Sequence, residues 1–98
     1  MGYIEQYREC KQAAGEGSLL FMRLGDFWEL FDEDARVAAK LFGLTLTSRG
    51  PKDGGGVPMA GFPYHQIDSY LAKAKKTGYR VCTIDPYEEA RKEMRGIS

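Results

Sequence analysis

Apolar side chains recur with a period that changes several times between the two ends of the sequence, and each change marks an element. Over residues 2–14, Tyr3, Ile4, Tyr7, Cys10 and Ala14 form one stripe of a helix, with Glu5, Arg8, Glu9 and Lys11 on the other side. Gly15-Glu16-Gly17 ends it. An apolar run from Leu19 to Leu24 then breaks at Gly25-Asp26 and resumes as Phe27-Trp28-Glu29-Leu30-Phe31. Such a run predicts two extended segments meeting at a turn or bulge, where Gly supplies the unusual backbone angle. Asp32-Glu33-Asp34 opens a second helix, with Asp32 placed as N-cap and the acids suited to the positive end of the helix dipole. Residues 35–40 are alanine-rich and Gly43 is the expected stop.

Leu44-Thr45-Leu46-Thr47 alternates with period two and predicts a strand, Leu inward and Thr outward. Ser48 to Gly56, with Arg49, Pro51, Lys52 and three consecutive glycines, predicts a flexible, locally basic loop. From Val57 to His65, two prolines and Gly61 argue against long regular structure, and Pro63 fixes an extended approach into a helix starting near His65. Residues 66–77 place Ile67, Tyr70, Leu71 and Ala74 on one side and Asp68, Lys73, Lys75 and Lys76 on the other, with Gly78 as cap. Arg80 to Ile84 predicts a short buried strand, and Asp85-Pro86 predicts the start of a last helix running to Arg95. Strands near 19–31, 44–47 and 80–84 separated by helices give a single α/β domain over residues 1–98, a small mixed β-sheet flanked by about four helices.

The candidate chemistry sits in the interrupted run. Side chains of an extended segment alternate in direction, so Phe27, Glu29 and Phe31 share one face and Trp28 and Leu30 the other. A carboxylate flanked by aromatics is costly if that face is core. The ordinary explanation is an edge or rim strand with Glu29 leaning into water. The functional one is that Phe27 and Glu29 project together toward a planar, partly polar ligand, one ring to stack and one acceptor to hydrogen-bond, which suits nucleobases.

Composition narrows the choice without making it. Ninety-eight residues hold one modest core, and 43% hydrophobic with 29% charged residues is the balance of a soluble globular chain. No apolar run approaches the roughly 18 residues of a membrane span and no signal-peptide core is present, so a cytoplasmic location is expected. Fourteen basic and fourteen acidic residues cancel, so phosphate binding must come from local clusters such as Arg49 and Lys52. Cys10 and Cys82 form no CxxC and His65 is the one histidine, which leaves two reduced thiols a better expectation than zinc. The glycine loop lacks the Gly-Lys-Ser/Thr ending of a phosphate-binding loop, so neither ATP nor another cofactor is expected. Asp26, Glu29, Asp32, Glu33 and Asp34 together suggest a metal site for phosphodiester cleavage, but helix capping accounts for three of them and no partner sits at fixed spacing. No enzyme activity is expected.

Four motifs in register then carry a family resemblance. Gly25-Asp26-Phe27-Trp28-Glu29-Leu30-Phe31, Leu44 to Gly50, Pro58-Met59-Ala60-Gly61-Phe62-Pro63-Tyr64-His65 and Tyr70-Leu71-Ala72-Lys73 resemble, in order and spacing, the N-terminal mismatch-recognition domain of the MutS family of DNA mismatch repair proteins. The match runs from Tyr3 to about Pro86. The resemblance implies that Phe27 wedges into the minor groove and stacks on a mispaired or unpaired base, that Glu29 hydrogen-bonds that base, and that the duplex kinks. It also implies that Leu24, Arg49, Pro58 and Met59 lie beside the DNA; Lys52 joins them as a candidate phosphate contact only through the basic composition of the glycine loop. Stacking is cheapest to break where pairing is already poor, so a wedge selects mismatches by deformability.

Two departures stand out. Trp28 replaces the usual Tyr of the Phe-x-Glu motif, and Ile84-Asp85-Pro86 stands where the family tends to read Cys-Glu-Gln. The family's connector, lever, clamp and ATPase domains have no counterpart in this sequence, so a lone module is expected to bind weakly. The expected function is a non-catalytic module recognising mismatched, unpaired or distorted double-stranded DNA, with no membrane or nucleotide partner. The alternative is an interaction protein that keeps the fold but acts through protein contacts, as a homodimer or with a mismatch repair protein. Phe27 and Glu29 together favour the first, because the fold alone does not require an aromatic and an acid there. A fragment of a longer protein is a third option, against which the initial Met and the helix-like ending point to a complete small protein.

Overall fold

The apolar run broken at Gly25-Asp26 folds back on itself as a tight hairpin. The structure, a computed structural model, describes residues 2–50 and 56–86. Strands β1 (Ser18–Leu24) and β2 (Phe27–Phe31) pair antiparallel with Leu24 opposite Phe27, so Gly25 and Asp26 alone make the turn. Gly25 takes a φ of 61°, the left-handed value that the first position of such a turn favours and that glycine adopts without strain.

The remaining elements follow in order as α1 (Tyr3–Ala14) before the hairpin, then α2 (Asp32–Phe42), β3 (Thr47–Arg49), β4 (Val57–Pro63), a 3₁₀ turn (Tyr64–Gln66), α3 (Ile67–Thr77) and β5 (Arg80–Ile84). The strands form one mixed sheet in the order β3-β4-β2-β1-β5, antiparallel except for the parallel β1–β5 pair. This confirms the α/β class with a mixed sheet. Three α-helices stand among the described residues; of the expected fourth, only Asp85 and Pro86 do, and the rest lies outside them.

Both faces of the sheet are covered. Alternation sends Leu19, Phe21, Trp28, Leu30, Ala60 and Phe62 to one face, where they pack on Ala35, Ala38 and Phe42 of α2 and Ala74 of α3. Phe62 stacks on Tyr70 of α3 at 4.0 Å between ring centroids. Leu20, Met22 and Phe31 point the other way and pack on Tyr7 of α1, whose ring meets Phe31 edge-on at 5.1 Å.

Five expectations are corrected. First, the segment holding Phe27 and Glu29 is the central strand, hydrogen-bonded on both sides, rather than an edge. Second, Leu44 to Leu46 form no strand. After Gly43 turns the chain with a φ of 70°, pairing begins only where β4 lies alongside, at Thr47 opposite Met59; Leu44 packs on the core, but Leu46 is 47% exposed. Third, the segment with two prolines is a regular seven-residue strand. β2 pairs only with residues 59–63, so Pro58 lies beyond it and Pro63 ends the strand, and neither interrupts the ladder. Fourth, Asp32 does not cap α2. Its φ is 57° and its carboxylate takes Arg8 of α1 in a two-pronged ion pair of 2.8 and 3.0 Å. Arg8 holds the Asp32 carboxyl below the usual range, chiefly through that hydrogen bond. Fifth, β5, expected to be buried, is a half-buried edge strand.

The neighbouring acid Asp34 is buried and joins three elements. It accepts from the Tyr7 hydroxyl at 3.1 Å and the Leu20 amide at 3.0 Å, and pairs with Lys11 at 2.8 Å. Burial, reinforced by the Asp34 charge, pushes the Tyr7 hydroxyl well above its ordinary value, so it stays a donor, reaching also the Leu20 carbonyl at 2.6 Å. The acidic run is thereby used up in structure: Asp32 on Arg8, Asp34 on this network and Glu33 on Arg36.

Candidate functional site

Phe27 is the first residue of β2, immediately after the two-residue turn, and with 46% of its surface exposed it is a large apolar ring standing in solvent. The strand is central, yet its first residue lies past the buried stretch. α1 covers Leu20, Met22 and Phe31 on that face but leaves the turn end open. Glu29, two residues on, points to the same side and lies between Met22 of β1 and Gly61 of β4. A Cβ at Gly61 would stand 2.7 Å from the Trp28 carbonyl oxygen and 2.8 Å from Glu29 Cδ. Only glycine therefore lets the Glu29 side chain lie down across β4.

Half-buried there, the Glu29 carboxylate has no hydrogen-bond or ion-pair partner among the described residues. Burial pushes the carboxyl above the usual glutamate range, against a smaller opposing pull from Arg49. Arg49 ends β3 opposite Val57, and its guanidinium lies 4.7 Å from the ring centre of Tyr3, at the start of α1. The register puts Leu24, Phe27, Glu29, Met59 and Arg49 on one face of the sheet. Leu24 and Met59 pack at the margin of the α1-side core.

Five of the seven residues singled out in the sequence are thus brought together. Pro58, opposite Ser48, falls on the other face, and Lys52 lies outside the described residues. Gly61 was legible only as an unexplained glycine between prolines. Tyr3, Arg23 and Tyr64, which touch these elements from elsewhere in the chain, carried no local signal.

What this arrangement offers is a projecting ring beside a half-buried carboxyl and a cation. A surface cavity of about 300 Å³ lies elsewhere, at the α1–α2 junction, lined by residues that include Tyr7, Arg8, Phe31 and Asp32 but not Phe27 or Glu29. No group of histidine, cysteine or acidic residues suited to a metal ion occurs among the described residues. Nor is any described helix long and apolar enough to cross a membrane.

Comparison with known proteins places this architecture. The family model described as MutS domain I matches residues 1–98. The chain is 49% identical over 86 residues to the DNA mismatch repair protein MutS of Rhodopirellula baltica, covering 88% of this chain and 10% of that protein. It is 47% identical over 98 residues to the protein of the same name from Bartonella quintana, covering 96% of this chain and 11% of that one. A third, from Fusobacterium nucleatum, is 45% identical over 86 residues, 88% of this chain and 10% of the relative. The chain spans about a tenth of the length of these relatives, and by the match of its whole length it belongs to the MutS domain I family.

Proposed function

We propose that this domain recognises mismatched or unpaired bases in double-stranded DNA, without catalysis, by presenting Phe27 and Glu29 together to the minor groove. The relatives are named for DNA mismatch repair, and the domain is read as serving the same process. The observation that carries the proposal is the pairing on one open strand end of an exposed aromatic ring with a half-buried carboxyl that has no hydrogen-bond or ion-pair partner among the described residues.

The physics of each part fits. A ring inserted between base steps costs a few kcal/mol of stacking, and that cost is smallest where pairing is already defective. The central strand gives Phe27 a stiff mount, since β2 is laddered to β1 and β4 at once. Leu24 and Met59 flank the ring and acid on the same face, and Arg49 supplies a cation for a neighbouring phosphate. Lys52 is assigned as a second phosphate contact on the sequence alone, whereas Pro58, on the other face of the sheet, is not part of this surface.

The test is fluorescence anisotropy of two short duplexes differing only by one G·T mismatch or one unpaired T, titrated with the wild-type chain and with Phe27→Ala. Tighter binding to the defective duplex, lost in the variant, is expected. Equal binding to both duplexes, or none at low salt, would overturn the proposal. Function through protein contacts would then take its place.

A further inference from the structure

Behind the turn that carries Phe27, on the opposite face of the sheet, three side chains from three elements are stacked together. Trp28 of β2 and Arg23 of β1 are cross-strand partners, and both meet Tyr64, the first residue after β4. The Tyr64 ring stacks on the Trp28 indole at 5.5 Å between centroids and 22° between planes. The Arg23 guanidinium sits 3.8 Å from the centre of the same ring. Main-chain bonds close the assembly. The Tyr64 amide donates to the Asp26 carbonyl at 2.7 Å, and the Trp28 indole N–H donates to the Tyr64 carbonyl at 3.3 Å. Arg23 also reaches the Asp85 carboxylate at 3.2 Å.

These contacts converge on the turn. Asp26 and Phe27 are consecutive, so the residue that carries the ring is anchored through the carbonyl just before it. A two-residue hairpin tip with nothing behind it would yield when its first strand residue is pushed into a base stack. Here the push is met by an aromatic stack and two hydrogen bonds on the far face. Tyr64 is 40% exposed, yet its contacts all face the hairpin.

We propose that the Tyr64–Trp28–Arg23 stack is a brace that positions Phe27, so that discrimination between defective and intact DNA depends on residues on the face turned away from it. The proposal rests on the functional reading above and deepens it. Placement matters because an insertion that misses the step by an ångström loses the stacking that repays the kink. Trp28 takes part directly, since its indole N–H makes the bond to the Tyr64 carbonyl.

The experiment compares Tyr64→Leu, Tyr64→Phe and Arg23→Gln in the same anisotropy assay, each alone and combined with Phe27→Ala, with thermal unfolding followed by circular dichroism. Tyr64→Leu is expected to lower the preference for the unpaired-T duplex about three- to tenfold, within the lower part of the coupling found between contacting side chains. Its affinity for intact duplex should stay within twofold. Tyr64→Phe keeps the ring and should restore the preference; Arg23→Gln, which removes the cation and its bonds to the Gly25 carbonyl and Asp85 but keeps the Tyr64–Trp28 stack, should lose less in the same direction. In the Phe27→Ala background all three should have no further effect. Full preference in both Tyr64→Leu and Arg23→Gln, a parallel loss on intact duplex, or losses that add to Phe27→Ala would overturn the brace while leaving the role of Phe27 standing. A wild-type chain without preference would overturn both.

Discussion

Glu29 is held in a state that suits a bound partner better than it suits the free domain. Its carboxyl is half-buried, unpartnered among the described residues, and raised in pKa by burial, with Arg49 pulling the other way. A carboxyl whose folded-state pKa exceeds its unfolded value contributes stability in full at pH below the unfolded value. That contribution is lost as pH rises through the folded value, so at neutral pH Glu29 is a cost. Glu29→Gln should therefore stabilise the chain by about 0.5–1 kcal/mol at pH 7. Thermal melts should show a gain of roughly 2–8 °C that fades as the pH falls toward the ordinary glutamate value of 4.5. The same substitution informs the chemistry on DNA. The minor-groove edges of A and T present only acceptors, and surrounding phosphates favour protonation further, so on the proposed reading Glu29 would bond there as a protonated donor and not as the acceptor expected from the sequence. Glutamine keeps a donor. Glu29→Gln should hence retain more mismatch preference than Glu29→Ala, and the wild-type preference should weaken as pH rises; a preference that strengthens with pH would refute this role.

At the scale of elements, the network around Asp34 binds α1, β1 and α2 into the platform on which β2 is fixed. Asp34→Ala would leave the buried Leu20 amide without its acceptor and at once remove the ion pair of Lys11 and one of the two acceptors of the Tyr7 hydroxyl. Removing one partner from a buried charged network costs about 3 kcal/mol or more. For a domain of this size that lowers the melting temperature by more than about 10 °C, and Asp34→Asn, which keeps an acceptor oxygen, should lose less. A drop of only a degree or two by circular dichroism would show that the network is dispensable.

Sequence patterning gave the helices well, because their apolar stripes and terminal glycines are local signals: α1 and α3 start and stop within about one residue of their expected bounds. What it missed is tertiary. Asp32 has the form of an N-cap, but Arg8, far away in the chain, takes its carboxylate. Asp34 looked like a complement to the helix dipole and is a buried junction. Leu44-Thr45-Leu46-Thr47 alternates like a strand, but only Thr47 has a neighbour to pair with. The candidate site divides the same way. Phe27 and Glu29 share a face by simple alternation, whereas Gly61 beneath Glu29 and Tyr64 behind the turn come from β4 and the turn after it, which no periodicity connects to β2.

For the whole molecule, fourteen positive charges against fourteen negative ones leave no net field to draw DNA in. Binding must then be local, short-ranged and weak, on the order of micromolar or weaker at physiological salt. The proposed contact face supplies Arg49, and Lys52 is assigned with it from the sequence, so about two phosphates are neutralised. The slope of log affinity against log salt concentration should then be near −2, since each neutralised phosphate contributes about −0.9. Arg49→Gln should make that slope shallower by about one unit. The richest cluster of exposed cations elsewhere among the described residues is Lys73, Lys75 and Lys76 on α3. Because α3 packs on the face of the sheet opposite Phe27 and Glu29, changing all three to Gln should leave both the slope and the mismatch preference as they were. These two variants locate the DNA without a structure of the complex. If the α3 lysines carry the salt dependence and Arg49 does not, the duplex lies against the wrong side of the sheet for Phe27 to reach it, and the exposed ring would have to serve a partner other than DNA.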